Sequence, residues 1–258
     1  MAARRSTGTA ARRSTADILD AAVDVRAAAR EATSGATGAA AVLAALSGVM
    51  EYDHASLTRW DPVRHRHTTL AGSYPDAATA YIETLLHRDP VFAVLRGPER
   101  DGLWLRDVPP RLLASSPGFR DVLRPLGITD GVAQCLFAAD GRYVGMLNIS
   151  TRPPRRTPDA ARAAVTLLTE SLAATVAAGT EVRHSDALPP DLRRLSAREF
   201  EVLAELTSGR TNREIAERLY ITPRTVGTHI EHILAKLDLP NRAAAAARAA
   251  ARGIEAAR

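Results

Sequence analysis

The chain has 258 residues, 46% hydrophobic and 24% charged, with a formal net charge of +5. That is enough apolar content for a buried core, and enough length for one large and one small domain. No apolar run approaches the roughly 20 residues of a membrane-crossing helix, and a single cysteine, Cys135, excludes an intramolecular disulfide and a cysteine cluster for zinc.

Charge is unevenly spread. Residues 1–16 carry four Arg and no acid, residues 17–190 carry 18 Arg against 20 acids, and residues 191–258 carry 12 Arg and Lys against 9 acids. Positive charge therefore gathers at the two ends. Lys236 is the only lysine beside 33 arginines, so arginine abundance alone says little about partners. "MAARRSTGTAARRSTAD" has the basic start of a signal peptide, but no apolar segment follows. The expectation is a cytoplasmic protein with a disordered basic tail over 1–16.

From Thr15 to Met50 the pattern is helical, broken by glycines in "TSGATG". "HASLTRW" and "RHTTLAG" read as strands around the turn "DPVR", and "PDAATAYIETLLH" as a helix. A loop-rich stretch, "RDPVFAVLRGPERDGLWLRDVPP", leads to a short helix near "PGFRDVLRPLG". In "GVAQCLFAADGRYVGMLNIS" two strand-like runs flank Asp140-Gly141, a dipeptide suited to the positive φ angles of a tight hairpin. A long helix follows, with Thr157 read as its N-cap, Pro158 at the first helical position and Asp159 in the first turn. The fold class is α+β: an N-terminal sandwich, residues 17–182, with helices covering a mostly antiparallel sheet. The proline-bearing "RHSDALPPDL" reads as a linker over 183–193.

Residues 194–258 hold four helical segments, each with its own start signal. Ser196 with Glu199, and Thr211 with Glu214, have capping-box spacing. Thr222 precedes Pro223 as N-cap and first helical position, and Asn241 opens a last helix that is nearly all alanine. Val226, Ile230, Ile233 and Leu237 recur at helical spacing. Helices this short do not persist alone, so they pack together. Two joined through "YIT" form a helix-turn-helix, whose second helix keeps an outer face of Arg224, Thr225, Gly227, Thr228 and Glu231 for the DNA major groove.

"NREIA", "TV", "H", "KL" and "NRAAA" recur in register through the last 60 or so residues, which resemble the DNA-binding domain of LuxR-type transcriptional regulators. The resemblance implies that Thr225 and His229 meet the DNA backbone, that Arg213, Arg224 and Lys236 are phosphate partners, and that Gly227, Thr228 and Glu231 face bases, with Thr222 opening the helix. Lysine is common where this chain has Gly227 and Glu231. Gly227 either permits close approach to the groove or has no role; Glu231 either accepts from a cytosine amine or is a solvated charge. The resemblance also implies a homodimer paired through the last helix.

Residues 17–182 resemble two related sandwich types, the GAF sensor domain and the acyl-homoserine-lactone-binding domain of quorum-sensing regulators. Asp89 precedes Trp104 by 15 residues, similar to a ligand-contacting pair of the second type. The resemblance implies a small-molecule site around Trp60, Tyr74, Asp89 and Trp104. Asp89 also reads as a local cap before Pro90, and Trp104 as a core filler. Ala78 stands near the position where those receptors carry a lactone-binding tryptophan. That departure argues against an acyl-homoserine lactone and for a different small molecule or none. His54, His65 and His67 lack the carboxylates or cysteines of a metal site, and no catalytic set or phosphate loop is visible. The expectation is a DNA-binding transcriptional regulator without cofactor or metal, with double-stranded DNA as partner and RNA polymerase left open as another. A ligand-independent dimeric regulator is one alternative; a small-molecule-binding or enzymatic domain with an accessory DNA-binding end is another. A sigma-factor-like reading fits poorly with the hairpin at Asp140-Gly141.

Overall fold

The computed structural model describes residues 13–32, 36–61, 64, 66–95, 102–139, 141–153, 157–187, 192, 194–219 and 221–254. The N-terminal part is organised by five strands: β1 (His54–Asp61), β2 (Arg66–Gly72), β3 (Leu103–Trp104), β4 (Asp130–Phe137) and β5 (Tyr143–Thr151). They lie in the order β2-β1-β5-β4-β3, with every neighbouring pair antiparallel. β5 is central and every residue in it is buried, because it is paired along both edges and covered on both faces. The β4–β5 turn closes through the Ala138 N–H on the Arg142 carbonyl at 2.8 Å, with Gly141 at φ +80°. Asp140 lies outside the described residues.

One face of the sheet is covered by α2 (Ala36–Val49) and α6 (Asp159–Ala187), and α1 (Thr15–Glu31) packs against both helices. Leu46, Leu57, Leu147, Leu168 and Leu172 form the centre of that core. The other face carries α3 (Asp76–Thr84), α4 (Pro90–Leu95), α5 (Pro110–Ser115) and a π-helical turn at Gly118–Leu123. Here the apolar residues divide into two clusters, one around Phe92 and Met146 and one around Ala78 and Ile82.

Several expectations shift. Ser14 caps α1 in a reciprocal box with Asp17, and the Arg13 guanidinium donates to the Ser47 carbonyl at 2.8 Å. Residues 13–16 are thus part of the fold rather than of a tail, and the remainder of that tail, 1–12, lies outside the described residues. Thr157 does not cap α6. Its hydroxyl is buried without a partner, its N–H donates to Asp130 at 3.3 Å, and the helix begins at Asp159. The proposed linker starts too early, since α6 runs on to Ala187. Within the stretch read as loop, Pro90–Leu95 is helical and Leu103–Trp104 adds an edge strand, and a further helix, Pro110–Ser115, starts at its last residue. Proline at the start of each helix supplies a preset φ where no donor is needed.

The C-terminal part contains α7 (Ala197–Leu206), α8 (Asn212–Leu219), α9 (Pro223–Leu237) and α10 (Arg242–Ala250). Phe200, Leu203, Ile215, Val226, Ile233 and Ala245 meet in one core. The caps form as their spacing requires: the Glu199 N–H donates to the Ser196 hydroxyl at 3.2 Å, Glu214 to Thr211 at 3.3 Å, Thr225 to Thr222 at 3.1 Å and Ala244 to the Asn241 side chain at 3.0 Å. α9 ends through Asp238 in the left-handed region, at φ 52°, one residue ahead of the expected Leu239-Pro240 stop. Among the described residues no helix is long and apolar enough to cross a membrane.

Candidate DNA interface and ligand cavity

α9 is held from inside by Val226, Ile230, Ile233 and Leu237, all buried, against α7, α8 and α10. Fixing that stripe leaves the opposite side of the helix in solvent. Arg224, Thr228 and Glu231 are exposed, while Thr225, Gly227 and His229 are half-buried at its margin. Thr222 is exposed at the N-terminus, and its hydroxyl shares a 2.8 Å hydrogen bond with that of Thr225. The Thr228 hydroxyl donates to the Arg224 carbonyl at 3.3 Å. Arg213 extends from α8, paired with Glu217 at 3.2 Å with both side chains largely exposed, a contact that water and salt weaken.

Lys236 is placed differently from this group. Its Nζ donates to both Glu199 oxygens, at 2.9 and 2.7 Å, and Glu199 is buried at the start of α7. Burial would raise the Glu199 pKa, but the Lys236 ammonium and the Ser196 N–H and hydroxyl outweigh it and hold the carboxyl below its ordinary value. Lys236 thus ties α9 to α7, a role that the sequence reading as a phosphate partner did not contain.

Between the two apolar clusters on the sheet's second face lies a cavity of about 110 Å³. At about 10–15 Å³ for each water that is room for a small organic molecule. Its walls are mainly aliphatic, from Ile82, Leu95, Leu113, Val122 and Val132 among others. Polar groups stand at two places. On the sheet side Tyr74, Ser150 and Asn148 line it, the Tyr74 and Ser150 hydroxyls 2.6 Å apart. On the helix side is Asp89, 4% exposed. Asp89 Oδ2 accepts from the Tyr81 hydroxyl at 2.6 Å, the Ser116 hydroxyl at 2.8 Å and the Gly118 N–H at 3.0 Å, and Oδ1 accepts from the Val91 N–H at 2.9 Å. Four donors from three segments converge on one carboxylate. Glycine is required at 118 because a Cβ there would sit 2.7 Å from the Tyr81 ring. Burial pushes both phenols up, Tyr81 further through its bond to Asp89, so both stay neutral donors at physiological pH. No Arg, Lys or His lines the cavity among the described residues.

Of the four ligand residues expected from the sequence, Tyr74 and Asp89 line this cavity and Ala78 lies on its wall. Trp60 sits instead with His67 and Tyr143, ring centroids 5.0 and 5.8 Å away. Trp104 packs into the core under α6, with the Arg162 guanidinium 4.8 Å above its ring. Tyr81, Ser116, Asn148 and Ser150 were missed; no local spacing distinguishes them, since they meet only through the sheet and the α3–α5 layer. Of the histidines weighed for metal, His54 contacts the Ser73 carbonyl at 2.9 Å, and His67 lies between the Ile82 carbonyl and the Tyr143 hydroxyl, at 3.1 and 2.7 Å. His65 lies outside the described residues. Among the described residues no cluster is arranged to hold a metal ion.

Comparison with known proteins supports both parts. Residues 193–249 match the family described as bacterial regulatory proteins, luxR family, and residues 35–176 match the autoinducer binding domain. The regulatory protein SdiA of Escherichia coli K12 is 30% identical over 213 residues, covering 80% of this chain and 85% of SdiA. The transcriptional regulatory protein LiaR of Bacillus subtilis is 48% identical over 69 residues, and the match spans only 32% of LiaR. In fold, a crystal structure of Escherichia coli SdiA superposes with a TM-score of 0.51 at 24% identity, covering 92% of this chain and 99% of that one. A GAF domain from a Coxiella burnetii phosphoenolpyruvate-protein phosphotransferase gives 0.51 at 17% identity over 68% of this chain and all of its own. The chain belongs to the LuxR family of bacterial regulatory proteins, as a member that joins an autoinducer-binding domain to a helix-turn-helix domain: a DNA-binding regulator controlled by a small molecule, not an enzyme.

Proposed function

We propose that the exposed side of α9 enters the major groove and that the cavity beside Asp89 receives the controlling ligand. The observation that carries the first part is the solvent exposure of Arg224, Thr228 and Glu231 on a helix whose opposite stripe is fully packed. Arg224 and Arg213 supply phosphate contacts, and Thr225, Thr228, His229 and Glu231 stand where backbone and base contacts are made. Lys236 contributes less, since its charge is already answered by Glu199. Exposed Ala243, Ala247 and Ala250 on α10 let two copies approach closely, so a homodimer reads two half-sites about 34 Å apart. The protein acts in the cytoplasm, where that DNA is, and polymerase contact follows promoter binding. The domain division is a sensor part that extends to the end of α6 at Ala187 and a DNA-binding part over 194–258, with the junction after α6.

The ligand is an uncharged, mostly apolar molecule. Aliphatic walls favour apolar groups, and two carboxylates, Asp89 and Asp130, with no cation among the described lining residues make an anion costly to bury. With Ala78 in the wall, no tryptophan donor is available there, which favours a ligand other than an acyl-homoserine lactone. The test is selection of binding sites from random duplex by the full-length protein, with and without a small-molecule extract. A palindromic site whose recovery changes with extract is the expected result. Recovery of no site defeats the docking, and a site indifferent to every extract favours the ligand-independent regulator.

A further inference from the structure

We infer that Asn212 donates a hydrogen bond to DNA through the gap left by Gly227, and that Arg242 fixes the direction in which it points. The inference rests on the docking of α9 proposed above. Asn212 opens α8 beside the recognition helix. Its Oδ1 accepts from the Arg242 guanidinium at 3.2 Å, and Arg242 is held in turn by the Arg210 carbonyl at 2.5 Å. A guanidinium only donates, so the carboxamide cannot turn over without losing that bond. Nδ2 is thereby directed to the other side, and it is the nearest atom, at 3.9 Å, to where a Cβ on residue 227 would stand. Among the described residues Nδ2 has no protein acceptor.

Gly227 itself is unexplained by the fold of the domain. Its φ is not in the left-handed region, and a Cβ there would clash with nothing. Inside a helix glycine is unfavourable relative to alanine, so this position carries a cost with no return in packing. A long side chain at 227 would lie across the Asn212 amide; glycine leaves it open to the groove. The Arg242 bond holds Oδ1 toward α10, so the contact inferred for Asn212 runs through Nδ2 alone rather than as the paired contact with adenine that asparagine often makes. It acts as a single donor to an acceptor: a purine N7, guanine O6, thymine O4 or a phosphate oxygen.

The test uses the full-length protein and the duplex it recovers by selection, with affinity read by fluorescence anisotropy beside a mixed-sequence duplex of equal length. Asn212→Ala removes the donor. Asn212→Asp keeps the shape and the Arg242 bond but presents an acceptor to the DNA, and melting curves check that each variant folds. Both variants are expected to bind the selected duplex about tenfold more weakly. A loss confined to the selected duplex assigns a base edge, and an equal loss on both assigns a phosphate. If Asn212→Asp binds the selected duplex as tightly as the parent, the inference is overturned while the docking stands. If the parent recovers no duplex at all, the docking falls and this contact with it.

Discussion

Glu199 carries three jobs at one carboxylate: it closes the capping box with Ser196, receives Lys236, and lies 3.7 Å from the His232 ring. Its folded pKa is held below the ordinary 4.5. Depression of an acid's pKa stabilises the fold above the unfolded value and is lost as pH falls through the folded one. The melting temperature of the DNA-binding part is therefore expected to hold at neutral pH and to drop once pH passes below that ordinary value. Lys236→Met should cost about 1–3 kcal/mol at neutral pH and flatten the acid dependence, as read by thermal melting across pH. DNA affinity should change less than stability does. A variant that keeps its melting profile but loses DNA binding would return Lys236 to the phosphate contacts.

At the scale of elements, the central strand decides how closely β1 and β5 approach. A Cβ at Gly145 would stand 2.0 Å from the Thr58 carbonyl oxygen and 3.0 Å from a Val176 methyl. One obstacle is backbone, so a side-chain shift cannot relieve it. Gly145→Ala is expected to destabilise the N-terminal part by about 3 kcal/mol, measurable by urea unfolding, with little effect on the fold of α7–α10. An alanine variant of unchanged stability would mean that the β1–β5 spacing is softer than the register implies. The helix-turn-helix elements were legible in advance because caps are local: Ser196, Thr211, Thr222 and Asn241 each bond a group three residues away. α6 was misjudged at both ends. Thr157 is a residue type that often caps, but its backbone is tied to Asp130, 27 residues earlier in the chain, and its hydroxyl is buried without a partner instead of meeting the first turn. No local rule reports such a placement.

For the whole molecule, the separation of charge predicts how it behaves on DNA. Log affinity should fall linearly with log salt, each phosphate contact contributing about 0.9 to the slope. Arg224→Ala should weaken binding to all sequences alike and lower the slope by about 1, as measured by titration at several salt concentrations. An unchanged slope would remove Arg224 from the phosphate contacts.

What could be read along the chain was whatever depends on near neighbours: the β-rich runs, a turn at Gly141, four capped helices and the helical stripe from Val226 to Leu237. Periodicity and capping act over a few residues, so the chain states them openly. The cavity is different. Tyr74 meets Ser150 across 76 positions, and Ser116 meets Asp89 across 27, and Trp104 is turned from the cavity into the helix-covered core. Those outcomes depend on strand order and on which face each layer covers, and such pairings arise only when distant segments are brought together by burial.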